Sequence, residues 1–518
     1  MIPLNAEWDN SKGFHKKGFL SDDEYGKVYP QGSQPSRLYG LPKLHKTFDI
    51  NFVPNIPKFR PINSSINSYN YNLAKHLSNL LAPLIPTKHS CADPFTFVNE
   101  IKQFEREKLF MVSYDVISLY TNIPLDEAIR IAVENIFEKV KNIKISKEEM
   151  TELFYFATSK NHFLFNGSIY DQIDGISMGS PLAPHLANLF MANHEEKWLK
   201  SGVGNKIKFY KRYVDDIFCF VENEEMADDF LTYLNKQHKN IQFTLEKEND
   251  NILPFLDIKI EKAELGIRTS IFKKITDTGL LTNFTSYVCF KYKICLVKTL
   301  IDRIFKINNT WNGFHDDISQ MEETLQKNNF PSKIISRNVK RALDKQLDPK
   351  CDEKRSIEEN VQYFKLPYIG TFSKIAESKI KTIVNKYCKP GTVVKLAFTS
   401  TKISSYFSPK DKMLSDLVSN VVYRFSCSGC TSTYVGFTTC HLTKRIHEHL
   451  STDSSSHVFK HVNKFKKCKK NLSANQFEIL DKGATKFQLR QKEAMWIKWL
   501  SPDINKQKQY KLALSITV

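Results

Sequence analysis

The sequence predicts a multidomain protein of the α+β class. The chain has 518 residues, which favours two to four domains over one core. Short apolar segments typical of strands alternate with amphipathic segments typical of helices, without an internal repeat. A charged stretch with several prolines at residues 346–420 separates a long N-terminal part from a basic C-terminal part, which begins near Val421.

The N-terminal part predicts helices and strands in irregular alternation. Pro83 ends the first helix, and Pro124 with two following acidic residues begins a later one. Two apolar segments separated only by Val214-Asp215-Asp216 predict a hairpin. The predicted helices are 70–81, 124–140, 181–193 and most of 290–345, and the predicted strands are 110–114, 209–213, 217–221 and 255–260.

Composition and charge limit the classes of function. The net charge is +19, and residues 421–518 hold 17 Lys and Arg against 6 Asp and Glu. This excess is expected of a nucleic-acid-binding protein, although a lysine-rich soluble surface gives the same count. Most of the ten cysteines stand alone, which favours a reducing compartment over a disulfide framework. Residues 1–10 lack the apolar core of a signal peptide, and no apolar run reaches membrane-spanning length, so we expect a soluble intracellular protein.

Three aspartates form the first candidate site. Asp115 ends a predicted strand, while Asp215 and Asp216 lie in the turn of the predicted hairpin. Transfer of a nucleotide requires divalent cations held by converging carboxylates. Taken singly, an Asp-Asp pair in a turn is ordinary turn chemistry, and Asp115 could cap a turn or helix.

The surrounding motifs carry a resemblance to reverse transcriptases. Tyr213-Val214-Asp215-Asp216 resembles their metal-binding signature, and residues 113–124, SYDVISLYTNIP, resemble their first catalytic motif. The residues of this second motif are similar to those of the Penelope-like branch of the family. Further segments match that branch in the right order: residues 39–46, 60–62, 175–184 and 253–257.

The resemblance implies roles for individual residues of the polymerase site. Asp115, Asp215 and Asp216 would hold two Mg²⁺ (or Mn²⁺) ions. Four other residues would bind substrate, although each could also have a purely structural role. Tyr120 would exclude a 2′-hydroxyl or be a buried aromatic residue, and Arg60 would bind the triphosphate or be a surface charge. Gly179 and Ser180 would shape the loop at the base pair or simply begin a helix.

The basic C-terminal part contains the second candidate site. Residues 421–423 and 434–436 predict two short strands, and residues 442–450 predict a basic helix. Spacing alone favours a small structural module, but the segment is similar to the GIY-YIG endonuclease domain of Penelope-like elements. The resemblance implies a nuclease site formed by Tyr423, Tyr434, Arg445, His449, Glu493 and Asn505, with Glu493 as an Mg²⁺ ligand and His449 at the substrate.

Two cysteines and two histidines in this part predict a zinc site. Cys427-x2-Cys430 is followed by His457-x3-His461, and two thiolates with two imidazoles suit tetrahedral Zn²⁺. This set resembles the Cys-Cys-His-His site of the Penelope-like branch. Free cysteines beside helix histidines are the plain alternative, and His447 and His449 are alternative donors.

Some positions depart from the family pattern. The family has an Asp-Lys-Gly segment before the position of Tyr39, which we do not find, so part of the fingers is expected to be missing. Val421-Val422-Tyr423 replaces Gly-Ile-Tyr, and Phe437 replaces an acidic residue. Residues 286–290, SYVCF, replace a Ser-His-His-Pro-like element. None of these changes removes a residue named above.

The resemblance thus implies a right-hand polymerase followed by a small α/β nuclease. Fingers and palm would span residues 1–262, a helical thumb 263–345, a connecting region 346–420 and the nuclease 421–518. The partners would be an RNA template, dNTPs and a DNA target that provides the primer, which implies a nuclear location. The alternative is a truncated or decayed copy without one or both activities, whose C-terminal module is only a zinc-dependent DNA-binding domain.

Overall fold

The structure is a computed structural model, and it describes residues 15, 17–29, 34–43, 59–104, 109–159, 162–264, 266–347, 361–387, 393–400, 402, 406–407, 410–413, 417–469 and 473–505. Its helices are α1 (Asp22–Val28), α2 (Tyr71–Leu81), α3 (Pro94–Ile101), α4 (Leu119–Asn122), α5 (Leu125–Lys139), α6 (Lys147–Thr158), α7 (Ala183–Trp198), α8 (Glu224–Gln237), α9 (Phe290–Ile307), α10 (Trp311–Lys327), α11 (Ser332–Leu347), α12 (Thr371–Tyr387), α13 (Leu442–His447), α14 (His457–Lys464), α15 (Lys466–Lys469) and α16 (Lys486–Leu500).

The strands are β1 (Ser36–Pro42), β2 (Phe59–Ser64), β3 (Phe110–Val116), β4 (His162–Phe165), β5 (Ser168–Asp171), β6 (Phe209–Tyr213), β7 (Asp216–Val221), β8 (Phe243–Lys247), β9 (Ile252–Phe255), β10 (Ile258–Ala263), β11 (Gly266–Ile271), β12 (Val361–Pro367), β13 (Val393–Thr399), β14 (Val421–Ser426), β15 (Thr433–Thr438) and β16 (Phe477–Lys482). The predicted mixture of helices and strands in several domains is confirmed. None of the helices in the described ranges is both long and apolar enough to cross a membrane.

The chain divides into two compact units. The first comprises Met1–Ile85, Ser118–Asn193 and Pro409–Val518, and the second comprises Pro86–Ile117 and His194–Ser408. Each unit is therefore built from segments that are distant in sequence.

The second unit contains an antiparallel sheet in the order β6-β7-β3-β8. Its core includes Phe97 of α3, whose ring lies 5.2 Å from that of Phe218 on β7. From α8, Phe230 packs 5.4 Å from Tyr114, whose hydroxyl donates to the Ala227 carbonyl at 2.9 Å. Both residues of the Phe97–Phe218 pair are fully buried, so truncating either to alanine should cost about 3–5 kcal/mol. This packing makes the sheet a rigid support for the loops at its ends.

The predicted strand at 255–260 is wrong in one respect, because a turn divides it. Leu256 and Asp257 have φ of 52° and 59°, and β9 pairs with β10 across them. Both values lie in the left-handed region that a tight hairpin of this kind requires. Leu256-Asp257 contains neither the glycine nor the asparagine that is typical of such a turn, so the sequence pattern did not predict the turn.

The second unit also contains a sheet in the order β11-β10-β9, a helical region and a β-α-β element. Helices α9, α10 and α11 share a core that includes Val297, Phe314 and Leu325, which confirms the helices predicted in 290–345. Within the predicted connecting region, β12 and β13 pair in parallel in register, and α12 lies between them in sequence. The stretch 346–420 therefore contains regular structure, although residues 348–360 lie outside the described ranges.

The first unit contains a sheet in the order β2-β1-β4-β5, with β1 and β4 parallel. Helix α2 buries Leu73, Leu77 and Leu81, which stand four residues apart on one face as predicted. Helix α5 follows Pro124 and has acidic residues in its first turn, also as predicted.

The same unit includes the C-terminal module, an antiparallel sheet in the order β15-β14-β16 with helices α13 to α16. The predicted helix at 442–450 is α-helical only to His447 and continues as a π-helical turn over Glu448–Thr452. That turn buries His449, which is 1% exposed. Turns of this kind are often found at functional sites.

Candidate functional site

The three predicted aspartates lie together at one end of the β3–β7 pair. Asp115 and Asp216 are direct partners in the antiparallel register. Their Cβ atoms are therefore on the order of 5 Å apart. Asp215 precedes Asp216, and its carbonyl accepts a hydrogen bond from the Val116 amide at 2.9 Å. All three carboxylates are half-buried at the end of a rigid sheet.

The turn that carries two of these aspartates has an unusual backbone. Tyr213 pairs with Asp216, which leaves Val214 and Asp215 as a two-residue loop. Val214 has φ of 58°, a conformation that β-branched residues rarely adopt and that glycine normally supplies at this position. Such strain persists only where surrounding contacts hold the backbone, and it is common at functional sites.

The chemistry of this group fits a hard divalent cation. Carboxylate oxygens are the ligands that Mg²⁺ prefers, and two or three converging carboxylates suit its octahedral shell with water and phosphate oxygens in the other positions. Asp115 and Asp216, paired across the sheet, would provide two such ligands, and Asp215 in the adjoining turn would provide a third.

The predicted substrate-binding residues lie in the first unit. The Tyr120 carbonyl accepts from the Ile176 amide at 2.7 Å, which joins α4 to the loop 175–180. Gly179 has φ of 133°, and a Cβ placed there would lie 2.1 Å from the Asn63 carbonyl oxygen, so the loop passes tightly over β2. Ser180 is buried, and Arg60 is exposed on β2. Three of the four predicted residues, Tyr120, Gly179 and Ser180, therefore lie on or against the loop 175–180.

In the C-terminal module, the first predicted tyrosine is at the centre of a hydrogen-bond group. The Tyr423 hydroxyl lies 2.6 Å from His449 Nε2, and Arg445 Nε donates to it at 3.4 Å. The other ring nitrogen, His449 Nδ1, lies 2.5 Å from Ser456 Oγ. Burial, aided by the Arg445 charge, lowers the pKa of His449 to about 3, so the ring is neutral. A neutral imidazole donates at one nitrogen and accepts at the other. One of the two hydroxyls therefore accepts a hydrogen bond from His449, and the other donates one to it.

The second tyrosine and the glutamate complete this site. Tyr434 lies with its ring centroid 6.4 Å from that of Tyr423. Burial, together with the nearby Glu493 charge, raises the pKa of Tyr434 to about 12. Burial also raises the pKa of Glu493 to about 7, although a hydrogen bond to the Phe437 backbone and the charge of Arg490 partly oppose it. A buried carboxyl beside a cation and two phenols is the usual setting of a catalytic or metal-binding group.

Asn505 has a different setting from the other predicted nuclease residues. Its side-chain amide donates to the Val435 carbonyl at 2.7 Å and accepts from the Val435 amide at 2.8 Å. Both polar atoms of the side chain are thus bound to the edge of β15. Asn505 therefore holds the strand that carries Tyr434.

The candidate metal-binding group differs from the predicted set at one position. The ligand atoms of Cys427, Cys430, His461 and Cys468 all lie within 4.8 Å of one another. The prediction of His457 as the fourth ligand is corrected to Cys468, because the chain after α14 turns back through α15 and brings that thiol 3.8 Å from Cys430. The His457 ring instead lies 6.4 Å from that of Tyr434. Three thiols and one imidazole at this separation suit tetrahedral Zn²⁺.

Sequence reasoning missed three participants in these sites. Cys468 stands alone among lysines in the sequence. Only its spacing of seven residues from His461 could have indicated that it is a candidate metal ligand. Ser456 carries no signal for contact with His449. Asp453, whose Oδ2 lies 3.4 Å from Arg445 Nη1, looks in the sequence like an ordinary loop residue.

Comparison with known families assigns these parts of the chain. Residues 52–249 match the family "Reverse transcriptase (RNA-dependent DNA polymerase)", and residues 419–508 match the family "GIY-YIG catalytic domain". Between them, residues 280–340 match "Animal helix-turn-helix domain", a range that includes all of α9 and α10. The comparison with curated proteins gives no match.

Solved structures of polymerases resemble the chain at low identity. Telomerase from Candida albicans is 12% identical with a TM-score of 0.41, over 62% of this chain and 58% of that one. Telomerase from Candida tropicalis is 14% identical with a TM-score of 0.36, over 60% and 58%. The Sicinivirus RNA-dependent RNA polymerase is 12% identical with a TM-score of 0.39, over 62% and 71%. The chain thus spans less than two thirds of these telomerases.

The family matches define the class of protein. The chain contains the catalytic domain of an RNA-directed DNA polymerase and that of a DNA endonuclease. A reverse transcriptase domain followed by a C-terminal GIY-YIG domain is the arrangement of Penelope-like elements, as the motifs predicted.

Proposed function

We propose that the protein is the RNA-directed DNA polymerase of a Penelope-like retrotransposon, and that its C-terminal domain nicks target DNA to provide the primer. The observation that carries the proposal is the presence of two such side-chain groups in one chain. One is the aspartate group at the end of the β3–β7 pair, and the other is the tyrosine, arginine and glutamate group around β14 and β15. Cutting one DNA strand creates the 3′-hydroxyl that a polymerase needs.

In the polymerase site, the aspartates supply the oxygen ligands. Mg²⁺, when bound, would activate the 3′-hydroxyl and neutralise the triphosphate. The register of β3 and β7 fixes Asp115 opposite Asp216, so the ligands need little rearrangement. Arg60 would bind triphosphate oxygens, and Tyr120 would exclude a ribose 2′-hydroxyl. The substrates would be dNTPs and an RNA template.

In the nuclease site, the Tyr423 hydroxyl lies within hydrogen-bond distance of Nε2 of the neutral His449 ring. Burial raises the pKa of Tyr423 well above its ordinary value, and Arg445, which donates to the same oxygen, opposes that rise only in part. The protonated phenol would therefore hold and orient the attacking water through its hydroxyl. Glu493 would be the ligand for Mg²⁺. The guanidinium of Arg445 would also neutralise charge that develops on the scissile phosphate.

Support for a chromosomal DNA substrate comes from the charge of the C-terminal part, where residues 421–518 hold 17 Lys and Arg against 6 Asp and Glu. Such a substrate implies a nuclear location. Zn²⁺ at Cys427, Cys430, His461 and Cys468 would stabilise this domain.

Primer extension on an RNA template with dNTPs and Mg²⁺ tests the polymerase. Asp215→Asn and Asp216→Asn should each reduce extension by at least about 100-fold, because a neutral amide is a poor ligand for Mg²⁺. Asp229→Asn is the matched control, since it alters one member of an exposed Asp-Asp pair on α8. Extension that survives in the Asp215→Asn variant would refute the assignment.

Relaxation of supercoiled plasmid tests the nuclease. Glu493→Gln should abolish Mg²⁺-dependent nicking, whereas Asp503→Asn, which alters an exposed residue of the same domain, should not. Retained DNA binding without nicking at any Mg²⁺ concentration by the unaltered protein would instead support a zinc-dependent DNA-binding domain.

A further inference from the structure

The residue before the Tyr-Val-Asp-Asp turn is a buried arginine. Arg212 lies on β6, and both its side chain and that of Glu195 near the end of α7 have no solvent exposure. Arg212 Nε donates to Glu195 Oε1 at 2.6 Å, and Nη2 donates to Oε2 at 3.2 Å. The two side chains therefore form a two-pronged ion pair inside the second unit.

A third arm of the same guanidinium reaches the turn. Arg212 Nη1 donates to the Val214 carbonyl at 3.0 Å. Val214 is the residue with φ of 58°, and its carbonyl begins the peptide that leads into Asp215. The ion pair is thus connected directly to the strained point of the loop that carries two metal ligands.

The ion pair is itself held in place from both sides. The Tyr210 hydroxyl donates to Glu195 Oε1 at 2.6 Å. The Arg212 backbone amide donates to the His89 carbonyl at 2.8 Å, and its carbonyl accepts from the Cys91 amide at 2.9 Å. Neither Arg212 nor Glu195 can change position without breaking several hydrogen bonds in a region closed to water.

The energetics indicate that this arrangement serves more than stability. Removing two charges from water costs several kcal/mol per ion, and a buried pair roughly recovers that cost. An apolar pair of similar size would fill the same space at no such cost. A planar fork can orient a carbonyl group, which an apolar residue cannot do.

We propose that Arg212 and Glu195 are positioning residues for the polymerase site, and that they hold the Val214 carbonyl so that Asp215 and Asp216 face Asp115. The proposal rests on the polymerase function proposed above. Glu195 fixes the guanidinium plane, and the guanidinium holds the turn in its left-handed conformation. Both side chains are closed to solvent, so their action on the site passes through the turn.

Two variants separate positioning from folding. Arg212→Lys keeps a positive charge beside Glu195 but lacks the planar fork, so one ammonium cannot serve both Glu195 oxygens and the Val214 carbonyl. The double variant Arg212→Gln with Glu195→Gln removes both charges and keeps polar partners. Arg268→Lys, which alters an exposed arginine in the same unit, is the matched control.

Hydrogen exchange of the full chain measures the turn without any need for activity. The Val116 amide reports on the turn, because it donates to the Asp215 carbonyl. Exchange in peptides covering 110–117 and 209–221 should become about tenfold faster in both variants, as expected for the loss of one hydrogen bond to a charged donor. Peptides covering α9 to α11 should exchange as in the unaltered protein, which shows that the fold persists.

Primer extension gives the second measurement. In both variants, kcat should fall by about 10-fold to 100-fold and the Mg²⁺ concentration at half-maximal rate should rise, while KM for dNTP stays within about twofold. Unchanged exchange at the turn, or unchanged kcat and Mg²⁺ dependence in an active protein, would overturn the proposal. If the unaltered protein has no polymerase activity, the polymerase function fails, and the exchange of the turn alone decides the positioning role.

Discussion

Glu493 makes the stability of the C-terminal domain depend on pH in a way that one substitution should remove. Burial raises its pKa to about 7 from an ordinary value of 4.5. The folded domain therefore binds this proton more tightly than the unfolded chain does. The resulting stabilisation is fully present below pH 4.5 and is lost as pH rises through about 7.

The size of the effect follows from the shift in pKa. A rise of this size corresponds to about 3 kcal/mol, and partial exposure of the side chain reduces it to about 2–3 kcal/mol. Glu493→Gln keeps the shape and an oxygen that can accept from Phe437, but it cannot ionise. The variant should exceed the unaltered protein in free energy of unfolding by less than about 1 kcal/mol at pH 5, where the unfolded side chain is already largely ionised, and by about 2–3 kcal/mol at pH 8.

The measurement uses the full chain, because urea-dependent hydrogen exchange reports on each domain separately. Peptides covering β14, β15 and α16 would be followed at pH 5 and pH 8, with equimolar zinc and no Mg²⁺. Adding Mg²⁺ at pH 8 should stabilise the unaltered protein and not Glu493→Gln, since binding requires the carboxylate. Asp503→Asn should behave as the unaltered protein. An equal difference between protein and variant at both pH values would refute the reasoning.

Four further substitutions test other contacts. Tyr423→Phe should lower plasmid nicking by about 100-fold without affecting primer extension, because only the hydroxyl is lost; equal nicking would rule out a role for that oxygen. Cys468→Ser should lower the zinc content measured by mass spectrometry, whereas His457→Ala should leave one zinc ion per chain, and the reverse result would restore the ligand set predicted from sequence. Gly179→Ala should raise KM for dNTP in primer extension, because its Cβ would lie 2.1 Å from the Asn63 carbonyl oxygen and displace the loop; an unchanged KM would show that the loop does not contact the nucleotide.

The elements with local signals were predictable from the sequence. Helix α2 has a continuous apolar face, and α5 has proline and acidic residues at its start. The β6–β7 hairpin has two apolar segments separated only by Val214-Asp215-Asp216. These features depend on neighbours within a few residues, which a single sequence displays directly.

The remaining features depend on contacts between distant segments. Cys468 joins Cys427 and Cys430 only because α15 follows α14 back toward the β14–β15 loop. Glu195 and Arg212 pair across two elements, and each is a plain charged residue in the sequence. No single-sequence pattern reveals such partners, because the spacing between them is set by the fold and not by a helix or strand period.

The candidate metal-binding group has a topological consequence for the nuclease. A zinc ion held by Cys427, Cys430, His461 and Cys468 would close the chain into a ring. Tyr434, Arg445 and His449 all lie on the part of the chain between Cys430 and His461, so three of the residues assigned to cleavage are inside it. A cross-link of this kind restricts the unfolded chain more than the folded one. Chelating the zinc should therefore increase the mobility of those three side chains together. Glu493 and Asn505 lie outside the ring and would keep their contacts with the rest of the domain.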